Sequence, residues 1–264
     1  MILPANLSNL LVTGRALRPA GDQIWSAMAQ GVASQRYDGR AAAYDRVVGS
    51  RLYNRLLWGS SPAAYASFAV RAVESGHGPL LDAGCGSLVF TAGIYAETDR
   101  PLVLVDRSLG MLEAARDRLK AVRGALPDDA VFIQADLLDL PFSPGGFSTV
   151  LSMGMLHLFE DVDPLLAALD RAVAPGGHVF LTSLVAERRI GRAYLSALHR
   201  AGEVASPRTY RQVIETLQRD KRARVGSSIQ GSMAFLTLVT GKGLQSRASD
   251  AMMTDPDVHR SANQ

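Results

Sequence analysis

The chain has 264 residues, 47% of them hydrophobic, 20% charged and 6% aromatic, with a formal net charge of +3; that composition fits a globular protein with one sizeable core and excludes wholesale disorder. Its single cysteine, Cys85, excludes intramolecular disulfides and a cysteine-based zinc site, and no metal site is expected. No apolar run approaches the roughly 20 residues that cross a bilayer, and the opening MILPANLSNLL has no basic segment ahead of a long apolar one, so the expectation is a cytoplasmic protein with no membrane span.

Residues 1–36 scatter Gly14, Pro19, Gly21 and Gly31 among apolar positions without a period and read as an N-terminal arm. Residues 37–75 show helical spacing: Leu52, Leu56 and Leu57 form one stripe, Tyr65, Phe68, Ala69 and Ala72 another, and Ser61 before Pro62 marks a helix start. After Gly76 short apolar runs alternate with helices. The runs lie at 79–84, 101–106, 130–136, 147–154 and 178–185. Between them Leu112, Ala115, Leu119 and Val122 recur at helical spacing, as do Leu166, Leu169 and Val173, with Asp163 and Pro164 predicting a cap and Pro175 to Gly177 a stop. Ser206 and Pro207 predict another helix start, and the runs on either side of Gln230 and Gly231 are too closely linked to pair other than antiparallel. Residues 244–264 are polar and aperiodic and are expected as a disordered tail. Apolar strands alternating with helices imply a doubly wound α/β fold, its mainly parallel sheet covered on both faces.

In such a sheet ligands sit beyond the carboxyl ends of the strands, which here carry Asp82 to Gly86, Asp106, Asp136 and Ser152 to Gly154. Gly84 and Gly86 allow a tight turn with close backbone approach. Asp106 follows Gly84 by 22 residues, the spacing at which a strand-end carboxylate meets the hydroxyls of a ribose. A dinucleotide turn would need a third glycine where Val89 stands, which argues against a nicotinamide cofactor. The densest basic cluster, RDKRAR at 219–224, reads as a solvated face, so nucleic acid is not the expected partner.

Taken in order, LLDAGCGS, LVLVDRSLGMLEAAR, VFIQADLLDLPF, FSTVLSMGMLHLFED and LDRAVAPGGHVFLT resemble the motifs of class I S-adenosylmethionine-dependent methyltransferases, in particular the ubiquinone and menaquinone branch. The resemblance runs from about Tyr37 to Gly243. It implies a seven-stranded sheet, a methyltransferase domain over 76–243, a helical N-terminal lid over 37–75 and S-adenosylmethionine as cofactor. By position it implies that Asp82, Gly84, Cys85 and Gly86 line the methionine end and that Asp106 binds the ribose. Arg107 and Met111 would flank the adenine, Asp136 and Leu137 would meet its amino group and ring, and Ser152 and Met153 would lie beneath the sulfonium. Tyr37 and Tyr44 would belong to the lid. The expected activity is methyl transfer to a small, apolar acceptor, because SMGM follows the fourth strand in place of the N/D-P-P-Y/F sequence associated with amino methylation of bases. A non-catalytic relative with the same fold and an RNA methyltransferase stay open as alternatives.

Plainer roles stay open for single residues. Asp82 or Asp136 could be a strand-end turn residue, Cys85 a small packing residue, Tyr37 and Tyr44 core aromatics, and Met111, Met153 and Met155 packing side chains. His157 is the candidate general base, with an orienting role as its rival. Leu88 departs from the family, which has glycine there. A branched side chain at that point should reorient the turn, crowd the methionine end, or turn away to join Val89 and Phe90 in an apolar patch.

Overall fold

The computed structural model describes residues 9–29, 58–219 and 223–241; Tyr37, Tyr44, most of the residues assigned to the lid and the tail 244–264 lie outside them. Among the described residues nine strands form one sheet: β1 (Arg18–Gly21), β2 (Ile24–Ser26), β3 (Leu80–Ala83), β4 (Leu102–Asp106), β5 (Ala130–Gln134), β6 (Phe147–Ser152), β7 (Val173–Leu184), β8 (Ala223–Gln230) and β9 (Met233–Thr240). Their order is β1-β2-β5-β4-β3-β6-β7-β9-β8. The strands from β3 to β7 pair in parallel, and the β8–β9 hairpin closes one side antiparallel. Six helices accompany them among the described residues: α1 (Pro62–Glu74), α2 (Ala92–Tyr95), α3 (Leu109–Arg123), α4 (Asp163–Ala172), α5 (Arg189–Arg200) and α6 (Tyr210–Leu217).

Successive side chains of a strand point to opposite faces, so a continuously apolar strand feeds two cores. Leu80, Leu102, Leu104 and Phe132 face one core, shared with Phe68 and Ala72 of α1 and Leu112 and Leu119 of α3. Leu81, Val103, Val105 and Ile133 face the other, shared with Leu165 and Leu169 of α4 and Val213 and Leu217 of α6. The N-terminal edge of the sheet is closed by Arg100. Its guanidinium donates to the carbonyls of Gly78, Ala72 and Val73 at 2.9, 3.1 and 2.6 Å, and to the hydroxyls of Ser148 and Thr149 at 2.9 and 3.1 Å.

Several expectations are corrected. Among the described residues the sheet has nine strands instead of seven, because part of the supposed arm is a hairpin. It turns through Gln23 at φ +56°, and β2 pairs in parallel with β5, burying Ile24 and Trp25. Strands of three and four residues are too short to show a period. Residues 62–74, assigned to the lid, form α1, whose Phe68, Ala69 and Ala72 are buried in the sheet's own core; a boundary at 75 and 76 cuts α1 from its partners.

Ser61 caps α1 as its sequence predicts, accepting the Ala64 N–H at 3.3 Å. Asp163 instead is the first residue of α4, with its N–H held by Asp161 Oδ1 at 3.0 Å. Ser206 bonds Glu160, and α6 starts after Thr209, which forms a capping box with Gln212. Val122 is 54% exposed, since the buried stripe of α3 runs through Met111, Leu112, Ala115 and Leu119.

Candidate cofactor site

The strand order reverses between β3 and β6, so a crevice opens beyond the carboxyl ends of the central strands. The turn after β3 occupies it. Gly84, Gly86 and Leu88 all adopt left-handed backbone, with φ of +83°, +53° and +58°. Gly84 and Cys85 donate their N–H groups to the Val105 carbonyl at 2.8 and 2.9 Å, and Gly86 donates to Asp106 Oδ2 at 2.9 Å. Asp106 Oδ1 accepts the Ser108 N–H at 2.8 Å. One carboxylate at the end of β4 thus fastens the first turn and the start of α3 together.

Leu88 keeps the conformation that glycine would take and sends its side chain into the core, where it is 1% exposed and clusters with Tyr65, Phe68, Ala92 and Tyr95. Left-handed backbone costs a branched residue about 1 to 2 kcal/mol, whereas burying a leucine side chain contributes about 1.5 to 3 kcal/mol. Burial wins. Phe90 packs against the same cluster and stacks on Tyr65 with ring centroids 4.5 Å apart. Leu88 thus turns away into an apolar cluster that includes Phe90 but not Val89, the neighbour also expected there.

Asp82 is 2% exposed, and Tyr95 of α2 donates to its Oδ2 at 2.8 Å. Loss of hydration pushes the carboxyl up to about 7; the Tyr95 bond pulls it down, and the charge of Asp106 pushes it up. Burial, and then Asp82 and Asp106, also push the Cys85 thiol well above its usual range, which leaves it protonated and poorly nucleophilic. A Cβ added at Gly84 would lie 2.7 Å from Met155 Cγ and Sδ, so that thioether covers the turn directly.

The other candidates are placed as follows. Ser152 is buried and donates its hydroxyl to the Ala83 carbonyl at 2.7 Å, tying β6 to β3. Met153 is half-buried against the core on the α1 side, and the N–H of Gly154 donates to Thr182 Oγ1 at 2.8 Å. Asp136 Oδ1 accepts the Leu138 N–H at 2.9 Å, a local strand-end turn, while its Oδ2 stands 3.9 Å from Arg107 Nη1. Leu137 and Met111 are buried.

His157 sits in a short 3₁₀ turn (Leu156–Leu158), where its Nδ1 accepts the Leu184 N–H at 3.3 Å. Burial first, and then the charge of Arg208, lowers its pKa to about 4. The ring is therefore neutral at pH 7 and carries its proton on Nε2.

The structure gathers Asp82, Gly84, Cys85, Gly86 and Asp106 around one turn, in which Gly86 bonds Asp106 while Asp82 bonds Tyr95 and Gly84 and Cys85 bond the Val105 carbonyl, and it pairs Arg107 with Asp136. Sequence reasoning missed Tyr95, Thr182 and Ser108. Ser108 was readable, since a serine before a helical stripe is a cap and it accepts the Met111 N–H at 3.2 Å. Tyr95 and Thr182 reach their partners across the fold, and no local spacing announces them.

Residues 81–181 match the family described as a methyltransferase domain. An uncharacterized protein of Synechococcus sp. is 36% identical over 143 residues, 53% of this chain and 33% of that protein. The ubiquinone/menaquinone biosynthesis C-methyltransferase UbiE of Cellvibrio japonicus is 29% identical over 144 residues, 53% of this chain and 55% of that one. The match thus spans between a third and about half of these relatives. Among solved structures, the [4+2]-cyclase SpnF superposes with a TM-score of 0.62 over 79% of this chain and 95% of that one, at 17% identity, which is a likeness of fold. The matched residues contain the whole glycine turn and the strand ends around it, so residues 81–181 are a methyltransferase domain similar to those that use S-adenosylmethionine as cofactor.

Proposed function

We propose that the chain moves the methyl group of S-adenosylmethionine to a small, apolar acceptor. The observation that carries this reading is the turn itself: three left-handed positions bring its backbone against the half-buried carboxylate of Asp106. The turn from Gly84 to Gly86, with Asp82 beneath it, receives the methionine end, and Asp106 the ribose. Arg107 and Asp136 border the adenine, with Leu137 and Met111 packed behind them. Ser152 acts by holding two strand ends together, since its hydroxyl already bonds Ala83. Met153 and Met155 form the soft wall of the transfer site.

When bound, the cofactor supplies a sulfonium methyl that is already electrophilic, so the chain's task is mainly in-line positioning and exclusion of water. His157 is better suited to orient an acceptor through Nε2–H than to take its proton. Its Nδ1 is engaged by Leu184, and its depressed pKa makes it a weak base. The small acceptor is supported by SMGM at 152–155 and by the quinone-pathway relative, and the apolar one by the two methionines. We assign the protein no nucleic-acid partner.

A second reading, a scaffold that binds the cofactor without transfer, is favoured by Leu88 at the glycine position and by the likeness of fold to a cyclase. Incubation with methyl-labelled S-adenosylmethionine and a metabolite extract separates the readings. Label in a solvent-extractable small molecule supports methyl transfer to such an acceptor. Label in RNA, or binding without transfer to any fraction, contradicts it.

A further inference from the structure

The third left-handed position is held from outside the turn. Arg118, on α3, donates from Nη1 to the carbonyl oxygen of Ser87 and, at 2.9 Å, to the Ser87 hydroxyl. That carbonyl belongs to the peptide plane joining Ser87 to Leu88, and rotation of this plane about the Leu88 N–Cα bond is the φ angle of Leu88. Were Leu88 to relax to negative φ, the Ser87 oxygen would swing away from the guanidinium. The same plane presents the Leu88 N–H to the Cys85 carbonyl at 3.3 Å, and the Leu88 carbonyl accepts from Thr91 and Ala92 at 3.2 and 3.0 Å, opening α2. Ser87 is itself buried, so its oxygen has little access to water as a substitute partner.

We propose that Arg118 is a positioning residue for the cofactor turn, locking the Ser87–Leu88 peptide so that a leucine keeps the left-handed backbone a glycine would adopt unaided. The inference rests on the reading of this turn as the cofactor's seat. Leu88 and Arg118 are then a coupled pair: the departure from glycine and the contact that compensates for it. Glycine has no Cβ to oppose the left-handed conformation, so a chain carrying Leu88→Gly needs the clamp less. A guanidinium that merely supported the fold would matter equally in both backgrounds.

The test is a double-substitution cycle read by calorimetric titration with S-adenosylhomocysteine. Arg118→Gln should weaken binding about tenfold in the Leu88 chain and less than threefold in a Leu88→Gly chain, and Arg118→Lys should recover part of the loss. Leu88→Asn, which tolerates the left-handed region and is closer in size, replaces the glycine variant if that chain does not fold. Hydrogen exchange at the Thr91 and Ala92 amides and at the amide of position 88, measured without ligand, gives the second readout. It should quicken on Arg118→Gln with Leu88 present and change little in the Leu88→Gly background. Equal losses in both backgrounds, or no loss with Leu88, would overturn the role of Arg118. A wild-type chain that ignores S-adenosylhomocysteine while the exchange pattern holds would instead overturn the cofactor reading and leave the clamp as a property of the turn alone.

Discussion

The two ends of β3 solve opposite problems with the same kinds of group. At its N-terminal end Arg100 gathers three carbonyls and two hydroxyls from α1, the loop before β3, and β6, so polar atoms are closed off by one cation. At its C-terminal end a buried carboxylate, Asp82, faces a second one, Asp106, and the backbone between them holds three left-handed residues. The first arrangement relieves buried polar groups. The second stores unfavourable ones, held by surrounding contacts, where a charged ligand can relieve them. On the proposed reading of the turn, stability and binding fall at opposite ends of the same strand.

The largest effect should come from the closed edge. Arg100→Met strips partners from five acceptors and should destabilise the fold by roughly 4 kcal/mol or more, while leaving cofactor affinity unchanged in the protein that remains folded; denaturant titration and calorimetry check the two halves. Asp82→Asn should do the reverse. The Asp82 pKa is about 7 in the fold against 3.8 unfolded, so the native state holds the proton more tightly. Its contribution to stability is present below pH 3.8 and is lost as pH rises through about 7. The ligand-free asparagine variant should therefore exceed wild type at pH 8 by on the order of 2 to 4 kcal/mol, with the difference vanishing near pH 4 and with weaker cofactor binding throughout.

Asp106→Ala should cost about 1.5 to 3 kcal/mol of cofactor affinity. It also releases the Gly86 and Ser108 amides, so faster hydrogen exchange at both should accompany the loss. The last effect concerns His157 and is read only as a change in pH dependence: its depressed pKa stabilises the fold above about pH 6.5 and ceases to as pH falls through about 4. Between these values Asp82 and His157 tilt stability in opposite directions. His157→Gln should leave stability falling with pH there, and Asp82→Asn should leave it rising. Denaturation curves at four or five pH values distinguish them.

What the sequence made legible was the part encoded in local pattern. The parallel core from β3 to β7 showed itself because strands buried on both faces are continuously apolar, and the β8–β9 hairpin because it turns through a glycine. The β1–β2 hairpin did not, since β2 takes its place only by pairing with β5 more than 100 residues away and β1 follows it at the sheet's edge. The same division holds in the site. Asp82, Gly84, Gly86 and Asp106 lie in short motifs at strand ends, and the structure joins them. Tyr95 and Arg118 act from helices whose buried stripes identify them only as helices. Leu88 lay between these cases: its position in the motif was plain, but the direction of its side chain depended on an apolar cluster built by α1 and α2.

The central claim is that the turn from Gly84 to Leu88, with Asp106 behind it, is a working cofactor seat despite the missing glycine. Calorimetric titration of the wild-type chain with S-adenosylhomocysteine, with Asp106→Ala and NADH as the two controls, tests it most directly. One site per chain for S-adenosylhomocysteine, at least tenfold weaker in Asp106→Ala and absent for NADH, is the predicted result. No binding by the folded wild-type chain, or the same affinity with and without the Asp106 carboxylate, contradicts it.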